Sequence, residues 1–586
     1  MSSVDVGVTD RTKGTSPSTM RPVIAGTRHM ISAGHYLAAN VGFQILEAGG
    51  NAVDAGVAAG ITLSVVQSDF VSFAGVAPIL IYLANRRSVV SISGLGWWPR
   101  AASLDFFLKN FGGSIPAGIL RTVVPAAPDA WITALEHYGT MNFGDVAASA
   151  IRLAREGFVM YPLMAEMISS NKAGYARWES SRQVYLPEGR PPKVGEIFRQ
   201  IDLAHSLQYM ADEERSASSG GRRNGLLAAR NAFYRGDIGR TIVDYHTRHA
   251  GFLSMRDLDE FSVEIAPSTT STFGTTTLHS CGFWCQGPAL LQALNMAEAA
   301  NVGTLNYNSP DYLHIITEIT KLAFADREAF FGDPRRVGVP SEKLLSKSYA
   351  AERVATIDPT RAISGLPRPG IAAKSVWMAA AASHDDEGAD PTVDTSYVAV
   401  VDRHGNAFSA TPSDASNNMP VIPGTGLCPS SRGSQSWGVA GHPAAIAPGC
   451  RPRLTPNPFI AIEADGSIMP FGTPGGDMQS QAMLQTFLNV RVFGMDLQSA
   501  VEAPRFATFS FPGSFEPHEV QLDLLMIEEP LAAAVASELA GRGHDAQCWP
   551  QLNWRAGGVC AIRLDQPTGV LTAGADPRRP SYALGW

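Results

Sequence analysis

The stretch TSYVAVVDRHGNAFS, residues 395 to 409, decides the reading of the fold. From Thr395 to Asp402 the residues alternate as on a β-strand, Arg403 to Asn406 carry turn chemistry, and Ala407 to Thr411 begin a return strand. The hairpin predicted here starts at a Thr. It follows a polar, irregular run, Leu366 to Asp394, that ends in HDDEGADPTVD at 384 to 394 and is expected to be exposed. A chain that cuts itself would place its cut where such a loop meets Thr395. An ordinary surface loop entering an edge strand has the same pattern, and spacing alone favours that plainer reading.

Working outward, residues 35 to 66 have apolar positions at helical spacing, interrupted at Gly49-Gly50. This predicts a helix, a glycine turn and a second helix of small residues packed closely in the core. Ala74 to Ala84 (AGVAPILIYLA) reads as a buried strand, and further helices are expected at Ala126 to His137, Asp145 to Glu156, Pro288 to Ala300 and Asp311 to Phe330. Residues 1 to 27 read as a flexible tail, and Ser216 to Gly225 (SASSGGRRNG) as irregular.

Composition bounds the function. The 586 residues are 45% hydrophobic and 17% charged, a globular balance that excludes a disordered or collagen-like chain. Lys and Arg number 46 against 54 Asp and Glu, a formal charge of −8 without a basic block, so nucleic acid is not an expected partner. The polar N-terminus lacks the apolar core of a secretory signal, which predicts cytoplasmic residence. Apolar stretches such as Gly75 to Leu83 are too short for a membrane span. Cys281, Cys285, Cys428, Cys450, Cys548 and Cys560 offer no paired zinc spacing, and the three-residue gap in CGFWC favours buried apolar roles over a redox pair. The His residues show no ligand spacing either; no metal and no cofactor is expected.

Several segments recur in a telling order: GGNAVDAGVAA at 49 to 59, VPAAPDAW at 124 to 131, LAREGF at 153 to 158, AFYRGDI at 232 to 238 and AFADREAFFGDP at 323 to 334. The hairpin follows, then GTPGGD at 472 to 477, EAPRF at 502 to 506 and ADPRR at 575 to 579. Together they resemble the γ-glutamyltranspeptidase family over nearly the whole chain. The resemblance implies an α+β protein with the four-layer αββα sandwich of N-terminal-nucleophile hydrolases, made as a precursor that cuts itself between Asp394 and Thr395. A large subunit, 28 to 394, whose linker runs from 366 to 394, would stay associated with a small subunit, 395 to 586, in one αββα domain. Higher oligomers are left open.

The chemistry explains why a chain start matters. A Thr hydroxyl is a weak nucleophile until a base takes its proton, and a freed α-amino group, with a pKa of about 8, is such a base. By the resemblance, Thr395 is the nucleophile, Gly475 and Gly476 supply backbone N–H groups for the oxyanion, and Ser413 positions the Thr, with Thr411 and Ser396 in support.

The substrate positions depart from the family. Where the family places an Arg that grips the γ-glutamyl carboxylate, this chain has GLGWWP at 94 to 99, with Arg100 one step beyond. A family pair of Ser residues is Leu454-Thr455, an expected Asn is Ala415, and the acidic residue for the substrate amine is Gln435. A buried carboxylate without its Arg loses about a thousandfold in affinity, which argues against glutathione. Trp97, Trp98, Arg432, Gln435, Arg453 and Thr455 are the expected pocket residues, the two Trp being equally compatible with core packing. The leading reading is a Thr hydrolase that hydrolyses or transfers the acyl group of a small-molecule amide other than glutathione, the substrate bearing a carboxylate. The alternatives are cleavage of an activated C–C bond in a ketone acid of alkylproline-type secondary metabolism, true γ-glutamyl transfer or glutathione hydrolysis, and an inactive binding homologue.

Overall fold

The computed structural model describes residues 19–373 and 394–586. Its frame is set by local rules that the GGNAVD segment illustrates. Gly49 takes φ +96°, a conformation that suits glycine, and ends the helix Tyr36–Glu47. Asn51 then caps the helix Ala52–Val66, its side chain accepting from Val53 and Asp54 N–H while the Asp54 carboxylate accepts from Asn51 N–H. Asp54 also accepts from Thr140 and Met141, which fastens the turn to the end of the helix Ala127–Tyr138.

Two seven-stranded antiparallel sheets form the middle of the molecule. One runs in the order Tyr582–Gly585, Met30–Ala33, Val398–Val401, Ala407–Ala410, Ile79–Leu83, Ser88–Ile92, Ile265–Pro267. The other runs Ile24–Gly26, Leu571–Ala575, Cys560–Leu564, Ile468–Gly472, Phe459–Ile462, Thr276–Ser280, Thr269–Phe273. Leu80, Tyr397, Ala399, Val401, Ile460 and Ile562 meet between the sheets. Helices Tyr36–Glu47 and Ala52–Val66 cover the outer face of the first sheet, with Phe143–Glu156 packed on Ala52–Val66, and Gly287–Ala299 and Met478–Arg491 cover the second, with Pro310–Phe330 packed on Gly287–Ala299. This is the expected αββα sandwich. Both sheets contain strands from either side of residue 394, so a cut there would leave the two pieces sharing each sheet. A small sheet of Phe506–Thr508, Leu524–Glu528 and Asp545–Trp549 stands outside the sandwich.

Several expectations shift. The predicted hairpin forms with Val401 opposite Ala407, but its first strand begins at Val398; Thr395 makes only an isolated bridge to Ser413. The strand expected from Ala74 is confined to Ile79–Leu83. Ser216 to Gly225 is largely helical, joining Ile201–Ala217 to Arg222–Tyr234 through a single turn. The tail does not extend to residue 27, because Ile24–Gly26 pairs with Leu571–Ala573 and closes a sheet edge. Of the linker, residues 374–393 lie outside the described residues. No helix among the described residues is long and apolar enough to cross a membrane.

Every residue of the helix Ala52–Val66 is buried. Gly56 lies against the Phe408 ring, where a Cβ would collide, whereas Gly541, at the end of the helix Leu531–Gly541, faces open space. Gly56→Ala is therefore expected to lower stability by about 1–3 kcal/mol in denaturant titrations, and Gly541→Ala to leave it unchanged or slightly raised.

Candidate active site

The hairpin fixes the two ends of the site. Its strands leave the centre of the first sheet side by side, which brings Thr395, just before the first, against Ser413, just after the second. The junction is not an exposed loop end as expected: Asp394 and Thr395 are 3% and 1% exposed. Burial here makes an unpaired polar group costly, and Ser413 Oγ partners three groups at the junction. It donates to the Asp394 carbonyl oxygen at 2.8 Å, lies 2.9 Å from Thr395 Oγ1 and accepts from Arg432 Nη2. With its one proton on the Asp394 carbonyl, Ser413 accepts the Thr395 hydroxyl proton. Gln479 Nε2 donates to Thr395 Oγ1 at 3.3 Å. The Asp394 side chain accepts from Thr395 N–H at 2.8 Å and from Arg579 Nη2 at 2.5 Å, with the Gly475 amide as a further donor. Its pKa is nevertheless raised, because burial outweighs these donors.

Gly475 and Gly476 lie at the start of the helix Met478–Arg491, with φ of +120° and +57°. The first value is closed to residues with a Cβ. Their carbonyls accept from Met478 and Gln479, and a helix N-terminus favours developing negative charge. The loop is held from behind. Gln286 Nε2 donates to the Gly476 carbonyl at 2.9 Å and to the Thr455 carbonyl at 3.0 Å, while its Oε1 accepts from Arg327 Nη1 at 3.0 Å. Arg327 also pairs with Asp477 and Glu328 and donates to the Pro512 carbonyl. The AFADREAFFGDP segment thus acts as a brace: Arg327 holds the glycine loop and Glu328 holds Arg453.

These glycines, Asp394 and Arg579 line a cleft of about 460 Å³, walled by Met478, Phe509, Phe511, Phe515, Met526, Trp549 and Trp554. The expected pocket residues are mostly elsewhere. Trp98 is core, edge-on to Phe107 with Nε1 donating to Ser436. Trp97 packs on Phe261 and lines a separate cleft with Arg335 and Arg336. Arg100 pairs with Glu260 at the surface and does not replace the missing clamp. Gln435 donates to Thr455 Oγ1 at 2.9 Å, and Arg453 pairs with Glu328 at 2.9 Å, both buried outside the cleft lining. Arg432 touches Ser413, with its guanidinium 5.3 Å from the Phe515 ring. Thr411 and Ser396 are buried with hydroxyls that contact no other polar group, and do not reach Thr395. Sequence reasoning missed Asp69, Gln286, Gln479 and Arg579. Arg327 and Arg579 lie in segments quoted for their order, so position in a motif was the available signal.

One His and Glu group brings ligand atoms together among the described residues: His314, Glu318 and His544. Its atoms are engaged, His314 with His544 and the Asp358 carbonyl, Glu318 with Lys321 and the Ile363 amide. It joins the helix Pro310–Phe330 to its neighbours.

Asp69 is buried near Asp394 and Arg579, with no side-chain hydrogen bond and only the Asp69 and Phe70 amides turned to its carboxylate. Burial pushes its pKa up to about 7. Since an unfolded Asp titrates at about 4, the folded chain retains a proton between these values that the unfolded chain has released, so stability falls as pH rises through this window. Asp69→Asn removes that fall. Its urea midpoint should gain on the parent's from about pH 4 to about pH 8, and an equal difference throughout would contradict the assignment.

The gamma-glutamyltranspeptidase family profile matches residues 38–586. The Acylase ACY 1 proenzyme of Pseudomonas sp. (strain SE83) is 31% identical over 566 residues, spanning 94% of this chain and 92% of that protein. The glutathione hydrolase proenzyme of Bacillus subtilis (strain 168) is 27% identical over 578 residues, spanning 96% and 92%. Among solved structures, LmbA2991HD matches with a TM-score of 0.89 at 35% identity, over 97% of this chain and 100% of that one. Cephalosporin acylase from Bacillus halodurans matches with a TM-score of 0.82 at 27% identity, over 99% of each. Fold, brace and glycine loop, together with these similarities, lead to one assignment: the chain belongs to the gamma-glutamyltranspeptidase family, as an acyl hydrolase or acyltransferase.

Proposed function

We propose that the chain cuts itself between Asp394 and Thr395, and that Thr395, as the new chain start, is the nucleophile of an enzyme acting on a small-molecule acyl amide other than glutathione. The observation that carries this is the Ser413 hydroxyl, donated to the Asp394 carbonyl beside the Thr395 hydroxyl. Attack of Thr395 Oγ1 on the Asp394 carbonyl carbon places negative charge on the oxygen that Ser413 already meets. Arg432 behind Ser413 strengthens that donor. The proton lost by Thr395 Oγ1 passes to the peptide nitrogen, the peptide bond breaks and that nitrogen leaves as the Thr395 amine; water then hydrolyses the ester, releasing the Asp394 carboxylate and restoring the Thr395 hydroxyl.

The freed amine then serves as the base for a second round on an external amide. The glycine loop at the helix start suits the oxyanion of that round, and departure of Asp394 clears its amides. The aromatic and Met lining favours a substrate with a flat or apolar group. Loss of the family's Arg at 94 to 99, with Arg100 held by Glu260, weighs against a γ-glutamyl group.

Mass spectrometry of purified protein should find pieces matching residues 1–394 and 395–586, and one uncut chain for Thr395→Ala. Ser413→Ala should slow cleavage by about 10²–10³, the loss expected for one oxyanion donor. An uncut parent would refute the proposal. In the processed protein, γ-glutamyl p-nitroanilide should turn over about a thousandfold less efficiently than the best of a panel of N-acyl p-nitroanilides. Preference for the γ-glutamyl compound would restore glutathione chemistry.

A further inference from the structure

Among the described residues, Arg579 is the one buried cation on the cleft wall that the reaction just described does not use. Its side chain is almost wholly enclosed, with the guanidinium 5.5 Å from the Phe70 ring and 5.1 Å from the Trp554 ring. Nε is spent on the Trp554 carbonyl at 3.1 Å, which fixes the plane of the group and leaves Nη2 to reach Asp394 Oδ2 at 2.5 Å. The other carboxylate oxygen accepts from Thr395 N–H, and the Gly475 amide is a further donor. A planar cation boxed by two rings and a carbonyl cannot swing to solvent. It needs an anion where Asp394 now sits. Asp69 does not supply one, since burial keeps its proton on to about pH 7.

We infer that Arg579 forms a carboxylate subsite that the Asp394 side chain occupies in the uncut chain and that a carboxylate on the acyl half of the substrate occupies afterwards. This rests on the cleavage proposed above. A buried guanidinium stripped of its partner is strongly unfavourable, so withdrawal of Asp394 creates a demand for a new anion next to the nucleophile. The junction also sets the spacing. The carboxylate held by Arg579 is that of the residue whose own carbonyl Thr395 attacks, so only Cα and Cβ separate the two groups. A short diacid monoamide of the succinyl type reproduces both contacts at once. Of the two cations expected in the pocket from the sequence, Arg432 contacts Ser413 and Arg453 pairs with Glu328.

The test needs no cleavage and no turnover. In uncut full-length Thr395→Ala protein, Asp394 should keep the subsite filled, and succinamate should bind weakly by calorimetry. Adding Asp394→Ala empties the site and should tighten succinamate about a hundredfold; adding Arg579→Met to that pair should return binding to the starting level. Asp394→Asn and Arg579→Lys are made alongside, to provide folded variants if a truncation unfolds the chain. Equal succinamate affinity with Asp394 present or removed, or binding that survives loss of Arg579, would overturn the subsite. Either result is independent of whether the parent cuts itself, which the mass measurement decides separately.

Discussion

The Ser413 hydroxyl is the contact on which the rest of the site depends. It has one proton and two lone pairs, and all are used: the proton on the Asp394 carbonyl, the lone pairs on Thr395 and Arg432. Such saturation has a structural requirement. The junction, Ser413 and Arg432 must converge where water cannot compete, which is possible at the middle of a sheet covered on both faces. The hairpin Val398–Val401 and Ala407–Ala410 sits there, flanked by Met30–Ala33 and Ile79–Leu83. Asp414, the next residue, is itself held by Ser430 and Ser431 at 2.6 and 2.5 Å, which fixes the chain direction leaving Ser413.

A second set of buried charges governs the opposite wall. Arg327 joins Gln286, Asp477 and the Pro512 carbonyl, so the glycine loop, the Thr455 segment and the rim near Ser514 are positioned by one guanidinium. Buried ion pairs contribute little net stability, and breaking one typically costs about 3–5 kcal/mol. Their value here is geometric: Gln286, held by Arg327, fixes the Gly476 carbonyl and with it the position of the loop. The aromatic lining has a different origin, coming largely from the small sheet and the loop between its strands.

How much of this was legible in the residues follows from the range of each interaction. The GGNAVD turn was readable because its capping is local, Asn51 to Asp54. The hairpin was readable from a two-residue period and the Gly405 turn. Trp97 and Trp98 were not, because an aromatic pair in a loop carries no period to say which way it faces; Trp98 belongs to a core cluster with Phe107 and Ile115. The three-residue strand Ile24–Gly26 was lost in a polar context, since its partner lies at the far end of the chain.

The sequence by itself determined the helices and hairpin that nucleate the fold, because periodicity, capping and turn preference act over a few neighbours; the family, and with it the expected roles of Thr395, Ser413, Gly475 and Gly476, followed from resemblance along the whole chain and not from those local rules. Only the tertiary structure decided that the junction is buried, that Arg432 faces Ser413, and that Arg579 meets Asp394 across 185 positions. Those depend on which strands pair and which carboxylate a buried cation finds. That selection is made by desolvation, which makes an unpaired charge untenable once the sheets close over it.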